Sequence, residues 1–171
     1  MAKRNKTYVC FDGDTDIWAY RYMKGWKALD TIDFDFDNAH ELNNLRDGST
    51  EETIKPKLRA RLKETKIMLV IVGENTKNLH RFVRWEQDVA LEMGIPIVAV
   101  YLNKSEKRDE KLCPPIIRDE LVLHIPFKLA TCRWSIDFWP KFYLQYKLEN
   151  KKGPYVINVN ELKKLNEESE N

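Results

Sequence analysis

The chain has 171 residues, of which 43% are hydrophobic and 11% aromatic, and this composition favours a single domain with a substantial core. Its 29 Lys and Arg residues almost balance 27 Asp and Glu residues, and the formal net charge of +2 is too small to indicate nucleic-acid binding. No apolar run approaches the ~20 residues that cross a bilayer, and the basic N-terminal segment lacks a signal-peptide pattern, so we expect a cytoplasmic protein without a membrane partner.

Short apolar runs alternate with amphipathic segments along the chain. The apolar runs predict strands over residues 6–11, 31–36, 66–73, 95–102 and 121–125. The amphipathic segments predict helices over residues 17–29, from residue 53 onward, over 77–93 and over 135–148. The runs at 66–73 and 95–102 are nearly all apolar, which is typical of central parallel strands covered on both faces. Residues 31–36 alternate apolar and acidic side chains, ending at Phe36, which indicates a strand near the sheet edge.

The remaining segments predict connections. Residues 37–52 are polar and predict a long loop of the kind that often carries function. Residues 103–119 are charged and predict a loop or a short helix. We place one domain at residues 1–150 and a C-terminal tail at residues 151–171, where the sequence shows only a weak amphipathic pattern.

The alternation of strands and helices predicts an α/β fold with an open parallel sheet. Five strands favour a flavodoxin-like, three-layer fold with the strand order 2-1-3-4-5. In that order, ligands bind beyond the carboxyl ends of strands one and three. Residues 11–16 and the segment after Gly73 occupy that position.

Several common site patterns are missing from the chain. It has no GxGxxG after the first strand, no P-loop and no GxSxG, which excludes the usual dinucleotide, P-loop and α/β-hydrolase fingerprints. Cys10, Cys113 and Cys132 lack the spacing of a disulfide framework or a zinc site, so we predict free thiols and no metal. We interpret Cys10 as strand packing and His124 as a core histidine.

Three acids, Asp12, Asp14 and Asp16, crowd the end of the first strand. They do not fit a calcium loop, because Gly13 stands too early and no glutamate closes the loop. A response-regulator receiver also clusters acids there, but it needs an aspartate at the end of the third strand, where this chain has Gly73. Two interpretations stay open: a turn with a helix N-cap, or contact of at least one acid with a ligand.

Glu86 is the most informative single residue. It shares a predicted helix face with Phe82, Val89 and Met93, at i−4, i+3 and i+7, so it belongs to the apolar stripe of that helix. A buried glutamate is costly without partners, and its pKa rises. It either pairs with an arginine or serves a site beside the switch point of the sheet. Three arginines are candidate partners: Arg21, Arg81 and Arg84.

Other candidate residues carry weaker signals. Trp85 is either a packing residue or a stacking wall for a planar base. We interpret His40, in the acidic loop, as a candidate for contact with a ligand. Residues 55–66 are basic and follow an acidic stretch, which indicates a solvated face or the two poles of a self-association surface rather than a nucleic-acid site.

Four segments together carry a resemblance to a known family. They read FDGDTDIWAYRYMKGW, DFDFDNAHEL, KIMLVIVGENT and HRFVRWEQDVALEMGIPIVAVYLN. This set resembles the bacterial TIR-like family, including TIR proteins of Thoeris antiphage defence, over about residues 5–130. TIR enzymes carry an aromatic residue followed by a catalytic glutamate in the helix after strand three. The resemblance places that glutamate at Glu86, with Phe82 where many members have the aromatic and a tryptophan at Trp85.

The resemblance implies a TIR fold and cleavage of NAD⁺, which serves as substrate rather than as a cofactor. The products are ADP-ribose, a cyclic isomer or a conjugate, and in Thoeris they signal to a separate effector protein. Phe11, Asp12 and Asp14 would line the ribose and nicotinamide. Residues 37–48, including Asn38 and His40, match the region that often completes the site across a neighbouring molecule, which implies self-association.

One carboxylate is enough for this chemistry. Nicotinamide in NAD⁺ is already a cationic leaving group, and its departure leaves an oxocarbenium-like ribose that a glutamate can stabilise. Two other hypotheses stay open. The chain is a non-catalytic TIR-type interaction module, with a structural Glu86, or it is a related enzyme such as a nucleoside deoxyribosyltransferase, which also uses one glutamate at a ribose.

Overall fold

A computed structural model describes residues 5–29, 36–37 and 49–169. The strands are β1 (Thr7–Cys10), β2 (Phe36–Asp37), β3 (Ile67–Val72), β4 (Ile97–Tyr101), β5 (Val122–Pro126) and β6 (Pro154–Val156). The helices are α1 (Ile17–Ala28), α2 (Glu51–Leu62), α3 (Phe82–Glu92), α4 (Leu129–Leu148) and α5 (Val159–Ser169). Short 3₁₀ turns at Thr76–Asn78 and Pro115–Ile117 complete the described elements.

The described strands form one parallel sheet in the order β2-β1-β3-β4-β5-β6. The predicted parallel α/β sheet is confirmed. Both apolar runs lie at its centre as β3 and β4, and every residue of these two strands is buried. Side chains on both faces of these strands therefore pack under helices, as parallel sheets require.

The crossovers divide the helices between the two faces of the sheet. Right-handed connections place α1 on one face of the sheet and α2 and α3 on the other, where α2 packs against α3. α4 lines a common groove with α1, and α5 packs beside α4. Lys55 of α2 bonds to Asp88 of α3, and Arg59 bonds to Glu92 at 2.9 Å. The basic face of α2 is therefore partly an interhelical contact, whereas the sequence left open a solvated face or a self-association surface.

The helix boundaries differ from the predicted ones for local reasons. α2 begins two residues early because Thr50 and Thr53 form a capping box, in which the Thr50 N–H donates to Thr53 Oγ1 at 3.2 Å. α3 begins later than predicted, since residues 76–78 turn separately, and it ends before Gly94, whose φ of 67° suits a C′ glycine. α4 begins six residues early at Leu129.

The C-terminal segment, whose order the sequence left open, contains a strand and a helix. β6 adds a sixth strand beside β5, and Tyr155 of β6 stacks on Tyr146 of α4 with ring centroids 4.4 Å apart. Leu162 and Leu165 of α5 are buried. The weak amphipathic pattern of this segment is thus the inner face of a packed helix.

A stripe of large side chains that begins with Trp18 and Tyr22, at i and i+4, predicts α1, but these two side chains do not face the core. Trp18 is 52% exposed and Tyr22 is 60% exposed, whereas Ala19, Tyr20 and Met23 form the buried face. The period of the stripe located the helix correctly, but the larger side chains lie on its outer side.

Candidate active site

Glu86 lies in the layer between α3 and the sheet. Its side chain is 6% exposed, and the phenolic hydroxyl of Tyr8 on β1 donates a hydrogen bond to Glu86 Oε1 at 3.1 Å. The buried Cys10, two residues along the same strand, contacts the carboxyl as well. Arg61 of α2 adds a positive charge nearby. We call Tyr8, Cys10, Arg61 and Glu86 the Glu86 cluster.

The sequence explains this arrangement only in part. Side chains alternate along a strand, so Tyr8 and Cys10 share the face of β1 that α3 covers. Glu86 sits one turn into α3 on its buried face, together with Val89 and Ala90. The predicted burial of Glu86 is confirmed, but its hydrogen-bond partner is a tyrosine, and the arginine that acts on it is Arg61 rather than one of the three proposed.

The surroundings of Glu86 raise the pKa of its carboxyl group toward neutral pH. Burial raises the pKa of Glu86 to about 7, and contacts from Cys10, Tyr8 and Arg61 limit the rise. Burial and the charge of Glu86 raise the pKa values of Tyr8 and Cys10 well above their usual range. Both neighbours therefore stay protonated, and the glutamate is the group of the cluster that changes charge near pH 7.

A second buried carboxylate, Asp12, lies at the carboxyl end of β1. It is 3% exposed and accepts hydrogen bonds from the Asp14 N–H at 3.0 Å, the Thr15 hydroxyl at 2.7 Å and Asn75 Nδ2 at 3.2 Å. Burial alone would raise its pKa, but these donors lower the pKa below its usual value. Asp12 thus joins the loop after β1 to the loop after β3.

Asp16 occupies the N-cap position of α1, but its side chain does not cap the helix. It turns toward the loop after β3, where Thr76 Oγ1 lies 3.5 Å from Asp16 Oδ2. Gly73 leaves room for this carboxyl, because a Cβ atom there would stand only 2.5 Å from Asp16 Oδ1. Burial and the nearby charge of Asp12 raise the pKa of Asp16.

A comparison with known families agrees with this geometry. The model of the family described as Thoeris protein ThsB, TIR-like domain, matches residues 8–107, more than half of the chain. The chain belongs to this family. The matched range contains the Glu86 cluster and the loops after β1 and β3, whereas β5, β6, α4 and α5 lie beyond it.

The structure places the other predicted site residues of this TIR-like domain in different surroundings. Phe11 stacks on Tyr20 of α1 with centroids 4.6 Å apart, on the face of the sheet away from α3. Asp14 is exposed in the loop after β1. Trp85 is 9% exposed and packs edge-on against Phe82. Their contacts with a ligand stay predictions. Asn38 and His40 lie outside the described residues.

Trp85 also contacts a charged side chain, Arg81, at the start of α3. The Arg81 guanidinium lies 5.7 Å from the Trp85 ring centroid and 5.4 Å from that of Phe82. Its Nη2 donates to the Ser49 carbonyl oxygen at 2.9 Å. Arg81 thereby ties α3 to the chain just before α2, next to the undescribed residues 38–48.

The TIR-like domain also has an aromatic groove of about 1070 Å³ on the opposite face. Its walls come from α1, the segments after β4 and β5, α4 and α5, and include Trp18, Tyr22, Phe127 and Trp134. None of the Glu86 cluster lines it. The sequence did not predict this groove, because it depends on α5 packing beside α4. The large groove and the buried carboxyl of the Glu86 cluster therefore lie in two separate regions of the domain.

The described residues contain neither a membrane-spanning helix nor a cluster of metal ligands. No helix among them is long and apolar enough to cross a membrane. No group of three or more His, Cys, Asp or Glu side chains in the same ranges is arranged to hold a metal ion. The three cysteines are free and buried.

Proposed function

We propose that this protein cleaves the bond between nicotinamide and ribose in NAD⁺, with Glu86 as the catalytic carboxylate. The proposal depends on one observation: Glu86 in α3 is buried and has its pKa raised to about 7, in a chain of the TIR-like family. Acids with a strongly perturbed pKa are concentrated at functional sites. Just above pH 7 the carboxylate would be mostly ionised.

The proposed reaction breaks the C1′–N bond of the nicotinamide ribose. The bonding electrons leave with nicotinamide, which departs as a neutral molecule and needs no proton. The positive charge stays on the ribose as an oxocarbenium-like species, and the Glu86 carboxylate stabilises it while accepting a hydrogen bond from a ribose hydroxyl. Attack by water gives ADP-ribose and a proton. Attack by a nitrogen of the adenine instead gives a cyclic form of ADP-ribose without the added water, and the adenine releases the proton.

The family points to a role in antiphage defence, and the remaining parts of the proposal follow from that role. The product would act as a signal to a separate effector protein, and the enzyme would use cytoplasmic NAD⁺. Residues 37–48, with Asn38 and His40, would complete the site of a neighbouring copy, so activity would rise with protein concentration. No further cofactor or metal is required by this chemistry.

A non-catalytic interaction module is the second candidate. The aromatic side chains of Trp18 and Tyr22 are more than half exposed on α1, and such surfaces often mark contact sites. In that case the Tyr8–Glu86 hydrogen bond would serve stability alone.

The deciding experiment measures nicotinamide and its partner product by chromatography and mass spectrometry. Concentrated wild-type protein, Glu86→Gln and the control Glu92→Gln are each incubated with NAD⁺ at pH 7.5. We expect Glu86→Gln to lose 100-fold or more in rate, on the order of other losses of transition-state charge stabilisation. Glu92, exposed on the same helix, should be replaceable with little loss.

The other outcomes identify the alternatives. Cleavage retained in Glu86→Gln would contradict the assigned role. Concentration-dependent assembly of the wild type without turnover, in buffer and in lysate of infected cells, would favour the interaction module. Exchange of bases between deoxynucleosides, with NAD⁺ untouched, would indicate a deoxyribosyltransferase.

A further inference from the structure

The carboxylate of Glu86 accepts a hydrogen bond from Tyr8, whose position is fixed by the sheet around it. Tyr8 is fully buried in β1, and its backbone lies between Asp37 of β2 and Met68 of β3 in the sheet register. Its ring lies below the Arg61 guanidinium, 5.8 Å from the ring centroid. A phenolic hydroxyl in this position has a fixed direction, and it points at Glu86 Oε1.

We propose that Tyr8 is a positioning residue, whose hydroxyl holds the Glu86 carboxylate in the orientation and charge state that receive a ribose hydroxyl. This proposal rests on the proposed function and deepens it. Tyr8 itself contacts no reacting atom. A carboxylate held by a donor on one oxygen enters the reaction with little reorganisation, which is the condition for electrostatic stabilisation of a developing cation.

The other groups that face Glu86 are weaker candidates for this role. In the described residues, Cys10 comes from the same strand and Arg61 from α2. The Cys10 thiol is a poor donor and lies 3.7 Å from the Val83 carbonyl oxygen, to which it donates. Arg61 acts through its charge and also lies over the Tyr8 ring. Tyr8 is thus the strong, directed donor of the cluster.

The protonation states agree with this division of roles. The pKa of Tyr8 is raised well above its usual value by burial and by the charge of Glu86, so the phenol keeps its proton whenever the glutamate is ionised. Removing the hydroxyl takes away a hydrogen bond to a charged acceptor, while desolvation of Glu86 stays. The midpoint of the Glu86 titration should therefore rise.

The test is a titration of the Glu86 side chain by carbon NMR in protein labelled on glutamate carboxyls. The Glu86 signal is assigned by its loss in Glu86→Gln. We expect the midpoint near 7 in the wild type, a rise of about one pH unit in Tyr8→Phe, and a smaller rise in Cys10→Ala. Tyr101→Phe is the matched control, since Tyr101 is equally buried and its hydroxyl bonds to His124 Nδ1 at 2.8 Å.

A second variant keeps the test decisive if Tyr8→Phe folds poorly. Site-specific 3-fluorotyrosine at position 8 retains the ring and makes the phenol more acidic, so it should lower the Glu86 midpoint. An unchanged midpoint in both variants, or an equal shift in Tyr101→Phe, overturns the proposal. A larger shift in Cys10→Ala than in Tyr8→Phe also overturns it.

Turnover gives an independent readout in the same proteins. In Tyr8→Phe, the acidic limb of the kcat profile for NAD⁺ should move to higher pH together with the Glu86 midpoint. The rate should therefore fall by about tenfold at pH 6.5 and much less at pH 9. A profile that stays in place while the titration moves overturns the catalytic part of the proposal. Absence of turnover in the wild type counts against the proposed function, whereas the titration still decides on Tyr8.

Discussion

Asp12 and Glu86 are two buried carboxylates of one domain with opposite electrostatics. Asp12 is 3% exposed and Glu86 is 6% exposed, so solvent access hardly distinguishes them. The Asp12 carboxylate accepts hydrogen bonds from three donors, which lower its pKa below the usual value. Glu86 has the Tyr8 hydroxyl and a thiol contact, and its pKa rises to about 7. The two pKa shifts differ in sign because Glu86 lies deeper in the protein interior and because Asp12 accepts hydrogen bonds from more donors.

Under the proposed function, this difference would separate an acid that holds two loops together from an acid that takes part in the reaction. Asp12 is stabilised as an anion by groups that belong to two loops, so its charge holds the loops together. Glu86 accepts fewer hydrogen bonds than Asp12, and a substrate hydroxyl would donate a further one. Among buried acids, the one with donors to spare is therefore the poorer candidate for catalysis.

The largest expected effect is on the pH dependence of stability at Glu86. Because its folded pKa is about 7 against a usual 4.5, the folded state binds the extra proton between these values, and stability falls as pH rises through that window. Glu86→Gln removes this loss. The free energy of unfolding of Glu86→Gln, relative to that of the wild type, should increase by about 3 kcal/mol from pH 4 to pH 8. This follows because each unit of pKa difference corresponds to about 1.36 kcal/mol.

Urea unfolding at both pH values measures this difference. Glu92→Gln, on the exposed side of the same helix, is the control. It removes an exposed ion pair with Arg59, so its stability difference should change by less than about 1 kcal/mol between the two pH values. A constant difference between wild type and Glu86→Gln would mean that folding does not shift the pKa of Glu86, and the contrast with Asp12 would fail.

Asp12 should behave in the opposite sense. Asp12→Asn places an amide against a site built from donors, so we expect a loss of about 2 kcal/mol at pH 7. The lowered pKa means that the carboxylate contributes above the unfolded pKa near 4, and that the contribution disappears as pH falls through the folded value. Asp14→Asn, in the same loop but exposed, should cost less than about 0.5 kcal/mol.

Thermal unfolding at pH 7 and at pH 3 distinguishes these variants. If Asp12→Asn is as stable as Asp14→Asn at pH 7, the three hydrogen bonds do not hold the loops. If it instead loses NAD⁺ cleavage without losing stability, Asp12 touches the ligand, as the sequence allowed.

The sequence predicted those features that depend on local periodicity. The apolar runs of β3 and β4 and the buried position of Glu86 in α3 follow from the spacing of side chains along one segment. β6 has three residues with exposed or half-buried side chains, so no local pattern marks it. Its place in the sheet depends on pairing with β5, which is a long-range contact.

The partners of the two acids were hidden for the same reason. Tyr8 and Glu86 are 78 residues apart, and Asp12 and Asn75 are 63 apart. A tyrosine in an apolar strand resembles any core residue until the helix above it is in place. The period of α1 likewise identified a helix but not its buried side, because Trp18 and Tyr22 point away from the core.

The smallest expected effect concerns Gly73, which tests whether the Asp12 region is independent of the Glu86 cluster. Gly73→Ala puts a Cβ against the Asp16 carboxyl, which is buried and must move, at a cost of about 1–2 kcal/mol. Gly25→Ala is the matched control. Nothing lies within 4 Å of a Cβ at Gly25, in the middle of α1, so it should stabilise by up to about 1 kcal/mol.

The Glu86 titration gives the second half of this test. Gly73→Ala should leave its midpoint near 7, because Asp16 and Thr76 belong to the loop contacts and not to the cluster. A shifted midpoint with normal stability would show that the loops after β1 and β3 reach Glu86 electrostatically. The two carboxylates would then form one coupled site at the sheet edge, and Asp12 would have to be counted with the residues that tune the reaction.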